Sequence, residues 1–132
     1  METPKLIDLP KILDRRGNLS FIESNSQIPF PIKRAYWVYD VPGGGIRGSH
    51  AYRENREFIV ALSGSFDVLL NDGEKEYCFH LNRSYYGVYI PKMMWRSLEN
   101  FSTNSLALVL SSTPYMADDY IRDFETFKKE IK

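Results

Sequence analysis

The chain has only two histidines, His50 and His80, and of these only His50 sits among residues whose spacing reads as a site. Five residues separate Gly44 from it, one separates it from Tyr52, four separate Tyr52 from Glu57 and six separate Glu57 from Gly64. Arg47 precedes His50 by three positions. An imidazole with an ordinary pKa of about 6.5 is suited to taking a proton at neutral pH. Arginines are suited to phosphate oxygens or to an oxyanion that forms during a reaction. Together these residue types predict proton transfer beside a carbonyl, on a substrate that carries phosphate. A second spaced set follows at Gly87, Pro91, Arg96 and Asn100. His80 belongs to neither set and reads as an ordinary surface or edge residue.

Most of the chain that must hold these residues is written in period two. Phe66, Val68 and Leu70 alternate with Ser65, Asp67 and Leu69, and Asn71-Asp72-Gly73 then supplies a turn before the run 76–81. An Asp-Gly pair between two such runs predicts a hairpin. Arg34 to Tyr39 is aromatic and β-prone, and Pro42-Gly43-Gly44-Gly45 breaks it into a loop. Further strands are predicted over Glu57–Leu62, Gly87–Ile90 and Ser105–Leu110, and short strands at this spacing form a sandwich or barrel. Glu57 is expected to face the interior as a hydrogen-bonding partner of His50 or Tyr52. Trp37 and Trp95 are expected in the core, and Cys78, in an apolar strand, as a buried thiol. From Asp118 to Lys132 the period changes: Tyr120, Ile121, Phe124, Phe127 and Ile131 follow helical spacing, so a helix packed outside the β domain is predicted.

Composition removes several classes of function. At 132 residues, 43% apolar and 14% aromatic, the sequence predicts one folded domain over residues 1–132. Lys plus Arg number 17, as do Asp plus Glu, which argues against a nucleic-acid binder with a basic face. One cysteine makes no internal disulfide, and the sequence shows neither a long apolar run nor a signal-peptide pattern. A soluble cytoplasmic protein that binds no membrane is therefore expected.

The set Gly44, His50, Tyr52, Glu57, Gly64 resembles the first cupin motif, with Tyr52 in place of its second histidine. The set Gly87, Pro91, Arg96, Asn100 resembles the second, with Arg96 in place of its metal-binding histidine. A guanidinium stays protonated and has no lone pair to give, so the matched positions hold no metal site.

Longer stretches sharpen the resemblance. Asp14–Leu19, Pro29–Tyr36, Arg47–Tyr52, Ala61–Phe66, Tyr89–Pro91 with Trp95-Arg96, and Asp118–Phe124 are similar, in order, to the WxcM-like sugar 3,4-ketoisomerases of the cupin superfamily. That resemblance implies an all-β, RmlC-like jelly-roll barrel with a C-terminal α-helix. It implies a metal-free and cofactor-free isomerase that moves the keto group of dTDP-4-keto-6-deoxyglucose from C4 to C3, in deoxyamino-sugar biosynthesis. It also implies a homodimer with exchanged N-terminal strands. By position, His50 matches the general base, Tyr52 the proton shuttle, and Tyr36 and Arg47 pocket residues near the hexose and nucleotide. Arg16 and Arg96 match positions close to the reacting carbons, with Arg96 as donor to the enediolate oxygen. A phenol is a poorer base than an imidazole at pH 7. If the shuttle has to be an imidazole, the chain is instead a silent nucleotide-sugar-binding cupin.

Overall fold

The computed structural model describes residues 2–132. Ten strands form two five-stranded sheets. In chain order they are β1 (Lys5–Asp8), β2 (Arg34–Tyr39), β3 (Arg47–Tyr52), β4 (Glu57–Ser63), β5 (Phe66–Asn71), β6 (Glu76–Leu81), β7 (Tyr86–Ile90), β8 (Trp95–Glu99), β9 (Leu106–Ser111) and β10 (Tyr120–Ile121). Among the described residues there is one α-helix, α1 (Phe124–Glu130), preceded by a 3-10 turn at Ala117–Asp119. One sheet has the order β1-β7-β4-β9-β2 and the other β10-β3-β8-β5-β6, with every neighbouring pair antiparallel. Among the described residues no helix is long and apolar enough to cross a membrane.

The predicted hairpin forms between β5 and β6, with Asp72 Oδ1 accepting from the backbone N–H groups of Glu74 and Lys75. The inner faces of the two sheets meet in a core that includes Ile59, Val88 and Val109 from one and Phe66, Val68 and Leu98 from the other. β4 departs from alternation because both its faces are covered: Glu57 to Ala61 are all buried. On its outer side Phe58 and Val60 pack with Leu9, Ile28 and Phe30 of the N-terminal segment. Strands buried on both faces lose the period-two pattern for this reason.

Three expectations are corrected. The helix predicted from Asp118 begins only at Phe124, because Tyr120 and Ile121 pair with Tyr52 and Ala51 as β10. Asp123 is the cap, its carboxylate accepting from Thr126 N at 2.9 Å. Cys78 is exposed rather than buried, since β6 is an edge strand and Cys78 lies on its outer face. Trp37 is 58% exposed on edge strand β2, whereas Trp95 packs against Phe124 and Phe127 as expected.

Candidate active site

β2 sends Arg34, Tyr36 and Val38 inward, and β3, β8 and β10 close around them from the other sheet. Between these strands lies an open cavity of about 580 Å³, within the usual range for small-molecule sites. Five of the predicted residues line it: Tyr36, Arg47, His50, Tyr52 and Arg96. Glu57 sits directly behind Arg96 and is buried. Arg16 is not brought to the cavity of its own chain: its side chain is 89% exposed and pairs with Asp14 at 2.7 Å.

A buried polar triad forms the floor. Arg96 Nε donates to Glu57 Oε1 at 2.8 Å, Nη1 to the Gly48 carbonyl at 2.7 Å, and Nη2 to the Tyr36 hydroxyl at 2.8 Å. Tyr36 in turn donates to Glu57 Oε2 at 2.5 Å. Glu57 therefore faces inward as predicted, but its partners are Arg96 and Tyr36, not His50 or Tyr52. The reason is reach: β8 stands opposite in the second sheet and delivers a guanidinium that satisfies both the carboxylate and the phenol. Gly48 is where this arrangement needs glycine. Its φ is +73°, it lies at the register shift of β3, and a Cβ there would run into Arg96 Nη1.

Above the floor three buried polar atoms are unpaired. His50 Nε2, the Tyr52 hydroxyl and Arg34 Nε are buried without hydrogen-bond partners. Buried polar atoms are normally satisfied, so these three define where a ligand's polar atoms belong. The His50 and Tyr52 rings meet edge to face at 4.8 Å, and the Arg96 guanidinium lies 5.7 Å from the Tyr52 ring centroid. Burial, then the charges of Arg96, Arg122 and Arg34, pushes the His50 pKa down to about 3. Burial, then the Glu57 carboxylate, raises the phenol pKa values of Tyr52 and Tyr36. For Arg96 burial works against the charge, but Glu57 outweighs it and the guanidinium stays cationic. At neutral pH the site thus holds a neutral imidazole beside a neutral phenol. Among the described residues no group of three His, Cys, Asp or Glu side chains is arranged to hold a metal ion.

A family model described as FdtA: WxcM-like, C-terminal, matches residues 2–132. The chain belongs to this WxcM-like family. It is 39% identical to the TDP-4-oxo-6-deoxy-alpha-D-glucose-3,4-oxoisomerase of Aneurinibacillus thermoaerophilus, over 96% of this chain and 91% of the relative. Among solved structures it is similar to the WlaRB TDP-quinovose 3,4-ketoisomerase of Campylobacter jejuni, with 40% identity, a TM-score of 0.93 and coverage of 98% and 99%. It is likewise similar to the 3,4-ketoisomerase QdtA of Thermoanaerobacterium thermosaccharolyticum, solved as a histidine-to-asparagine variant in complex with TDP-4-keto-6-deoxyglucose. There the identity is 32%, the TM-score 0.95 and the coverage 100% and 96%. The jelly-roll architecture is that of these WxcM-like relatives.

The cavity residues that the sequence pattern does not single out include Arg34, Tyr115, Tyr120 and Arg122. Arg34 was accessible to it, since it shares the inward phase of β2 with Tyr36. Tyr120 and Arg122 were hidden by the helical spacing of the C-terminal stretch, which assigned them to a surface helix.

The depressed His50 pKa has a checkable consequence. An unfolded histidine takes a proton below about pH 6.5, and His50 in the folded site does not until about pH 3. Stability is therefore lost as pH falls through that window, and His50→Asn removes this loss. Urea unfolding at pH 7 and pH 5 is expected to show the wild type losing about 1–2 kcal/mol more than His50→Asn. Equal losses would contradict the buried neutral imidazole.

Proposed function

We propose that this WxcM-like chain is a 3,4-ketoisomerase acting on TDP-4-keto-6-deoxyglucose, with His50 as the base and Tyr52 as the proton relay. The observation that carries this reading is the pair of buried, unpaired groups, His50 Nε2 and the Tyr52 hydroxyl, side by side in the cavity. The chemistry requires two proton movements. His50 takes the C3 proton of the 4-keto sugar, giving an enediolate with its charge on O4. Tyr52 gives its phenolic proton to O4 while receiving the O3 proton, which needs no free tyrosinate. The imidazolium of His50 then returns its proton to C4. C3 becomes the ketone, C4 carries the hydroxyl, and both residues end as they began.

Three arginines support a charged substrate. Arg34, Arg47 and Arg122 line the cavity, and none is among the ion pairs of the described residues. They suit the diphosphate of a TDP-sugar. Arg96 uses three of its five N–H groups on Glu57, the Gly48 carbonyl and Tyr36, which leaves two to donate to a developing enediolate oxygen in this reading.

The relay is tested by Tyr52→Phe, which keeps the ring and removes the hydroxyl. Formation of the 3-keto sugar is expected to fall by about 10²-fold or more. Exchange of the C3 hydrogen with solvent, which needs only His50, is expected to continue. A Tyr52→Phe variant that makes product at the wild-type rate contradicts the relay.

The same reading includes a cytoplasmic homodimer with exchanged N-terminal strands. An unpaired, exposed Cys78 suits a reducing compartment. Leu6, Ile12, Leu13 and Leu19 of the N-terminal segment are exposed, as are Trp37, Tyr39 and Leu62 on the first sheet. Apolar exposure on this scale marks an interaction surface. Sedimentation equilibrium at twice the chain mass supports the dimer, and the single-chain mass contradicts it.

A further inference from the structure

The mechanism above makes no use of Tyr120, although β10 brings it directly against the two reacting side chains. Tyr120 pairs with Tyr52 in the ladder between β10 and β3. Its ring centroid is 4.9 Å from that of His50 and 4.7 Å from that of Tyr52, so the three rings form one close cluster. The Arg122 guanidinium stands 4.2 Å from the Tyr120 centroid, within reach of a cation–π contact.

β10 is only two residues long, and side chains from elsewhere hold it in place. Buried Asp119 accepts from the backbone N–H groups of Glu54 at 2.8 Å and Asn55 at 3.1 Å. Arg53 donates to the carbonyls of Asp118 and Tyr120 at 2.6 and 3.3 Å, and its other nitrogens grip Glu130 of α1 at 2.9 and 2.8 Å. The segment that carries Tyr120 is therefore fixed at both ends, to the turn after β3 and to the C-terminal helix.

We infer that Tyr120 is a positioning residue: its ring, backed by Arg122, walls the His50–Tyr52 pair off from water and holds the imidazole in one orientation. The kinetic consequence rests on the isomerase reading; the effect on His50 itself does not. The groups around the imidazole come from every neighbouring strand. Tyr52 shares its own strand, Arg34 and Tyr36 face it from β2, and Arg96, with Glu57 of β4 behind it, from β8. From β10 come Tyr120 and Arg122. Removing the Tyr120 ring admits water and unseats Arg122, and both changes ease protonation of His50.

With two histidines in the chain, the test is direct. The imidazole C–H signals of His50 and His80, assigned with His80→Gln, are followed by NMR against pH in the wild type, Tyr120→Phe and Tyr120→Ala. Tyr120→Ala is expected to move the His50 midpoint up toward the ordinary value of about 6.5. Tyr120→Phe is expected to keep the wild-type midpoint. His80, held by Asp67 at 2.6 Å on the far face, serves as the control for an intact fold. Should Tyr120→Ala disturb it, Tyr120→Leu supplies bulk without the flat ring and gives the same readout. With the keto sugar, kcat is expected to fall about 10–100-fold in Tyr120→Ala with KM little changed, and to stay within about threefold in Tyr120→Phe. An unchanged His50 midpoint in Tyr120→Ala and Tyr120→Leu overturns the inference, as does a Tyr120→Phe variant as impaired as Tyr120→Ala. If the wild type itself turns over no keto sugar, the isomerase reading fails, and the His50 midpoints still decide the role of Tyr120.

Discussion

His50→Asn is expected to lower the rate of 3-keto sugar formation by about 10²–10⁴-fold, the usual contribution of a positioned base. Binding of TDP is expected to survive, because the substitution removes no charge: His50 is neutral in the site, with its pKa pushed down to about 3. The cationic side chains that suit the diphosphate, Arg34, Arg47 and Arg122, are untouched. Turnover followed by NMR and TDP affinity followed by calorimetry separate the two effects. Loss of rate with affinity retained marks a base. Equal loss of both would make His50 a binding residue, and a rate within tenfold of wild type would remove it from the chemistry.

The second large effect is on stability. Arg96 and Glu57 are 2% and 1% exposed, and their contact is 2.8 Å. Glu57→Gln leaves the guanidinium buried with its charge uncompensated, at a cost of about 3–5 kcal/mol. For a domain of this size that corresponds to a fall in Tm of roughly 10–20 °C. The exposed pair between Lys128 and Glu125 provides the contrast. Surface ion pairs contribute little, so Glu125→Gln is expected to leave Tm where it is. Calorimetry on both variants checks this, and a Glu57→Gln protein melting with the wild type would contradict the structural role given to the floor triad. The same triad gives Arg96 a role of its own where a metal ligand would stand: its guanidinium neutralises the buried Glu57 carboxylate and donates to the Tyr36 hydroxyl.

How far the sequence speaks for this fold and site depends on whether the information is local. The β5–β6 hairpin is local, since Asn71-Asp72-Gly73 specifies its own turn, and β2 was legible to the residue from its β-prone run. His50 and Glu57 stood out because glycines at fixed offsets frame them. What stayed hidden depends on contacts far apart in the chain. Glu57 finds Arg96 across the gap between two sheets. Tyr120 and Ile121 satisfy helical and strand spacing alike, and only pairing with Tyr52 and Ala51 selects the strand. Cys78 and Trp37 carry apolar signatures, but their strands fall at sheet edges, which no local pattern reveals. Arg16 matches a position expected near the reacting carbons, yet within its own chain it lies in the exposed N-terminal segment.

The first experiment to perform is proton NMR of TDP-4-keto-6-deoxyglucose incubated with the wild-type protein in D₂O. A base at His50 with a working relay at Tyr52 predicts loss of the C3 proton signal together with appearance of the 3-keto isomer, with the hydrogen at C4 delivered from the His50 side of the ring. An unchanged C3 signal in a sample where the sugar nucleotide is bound, seen as broadening of its resonances, would contradict proton abstraction by His50 and leave a protein that binds the nucleotide sugar without turning it over.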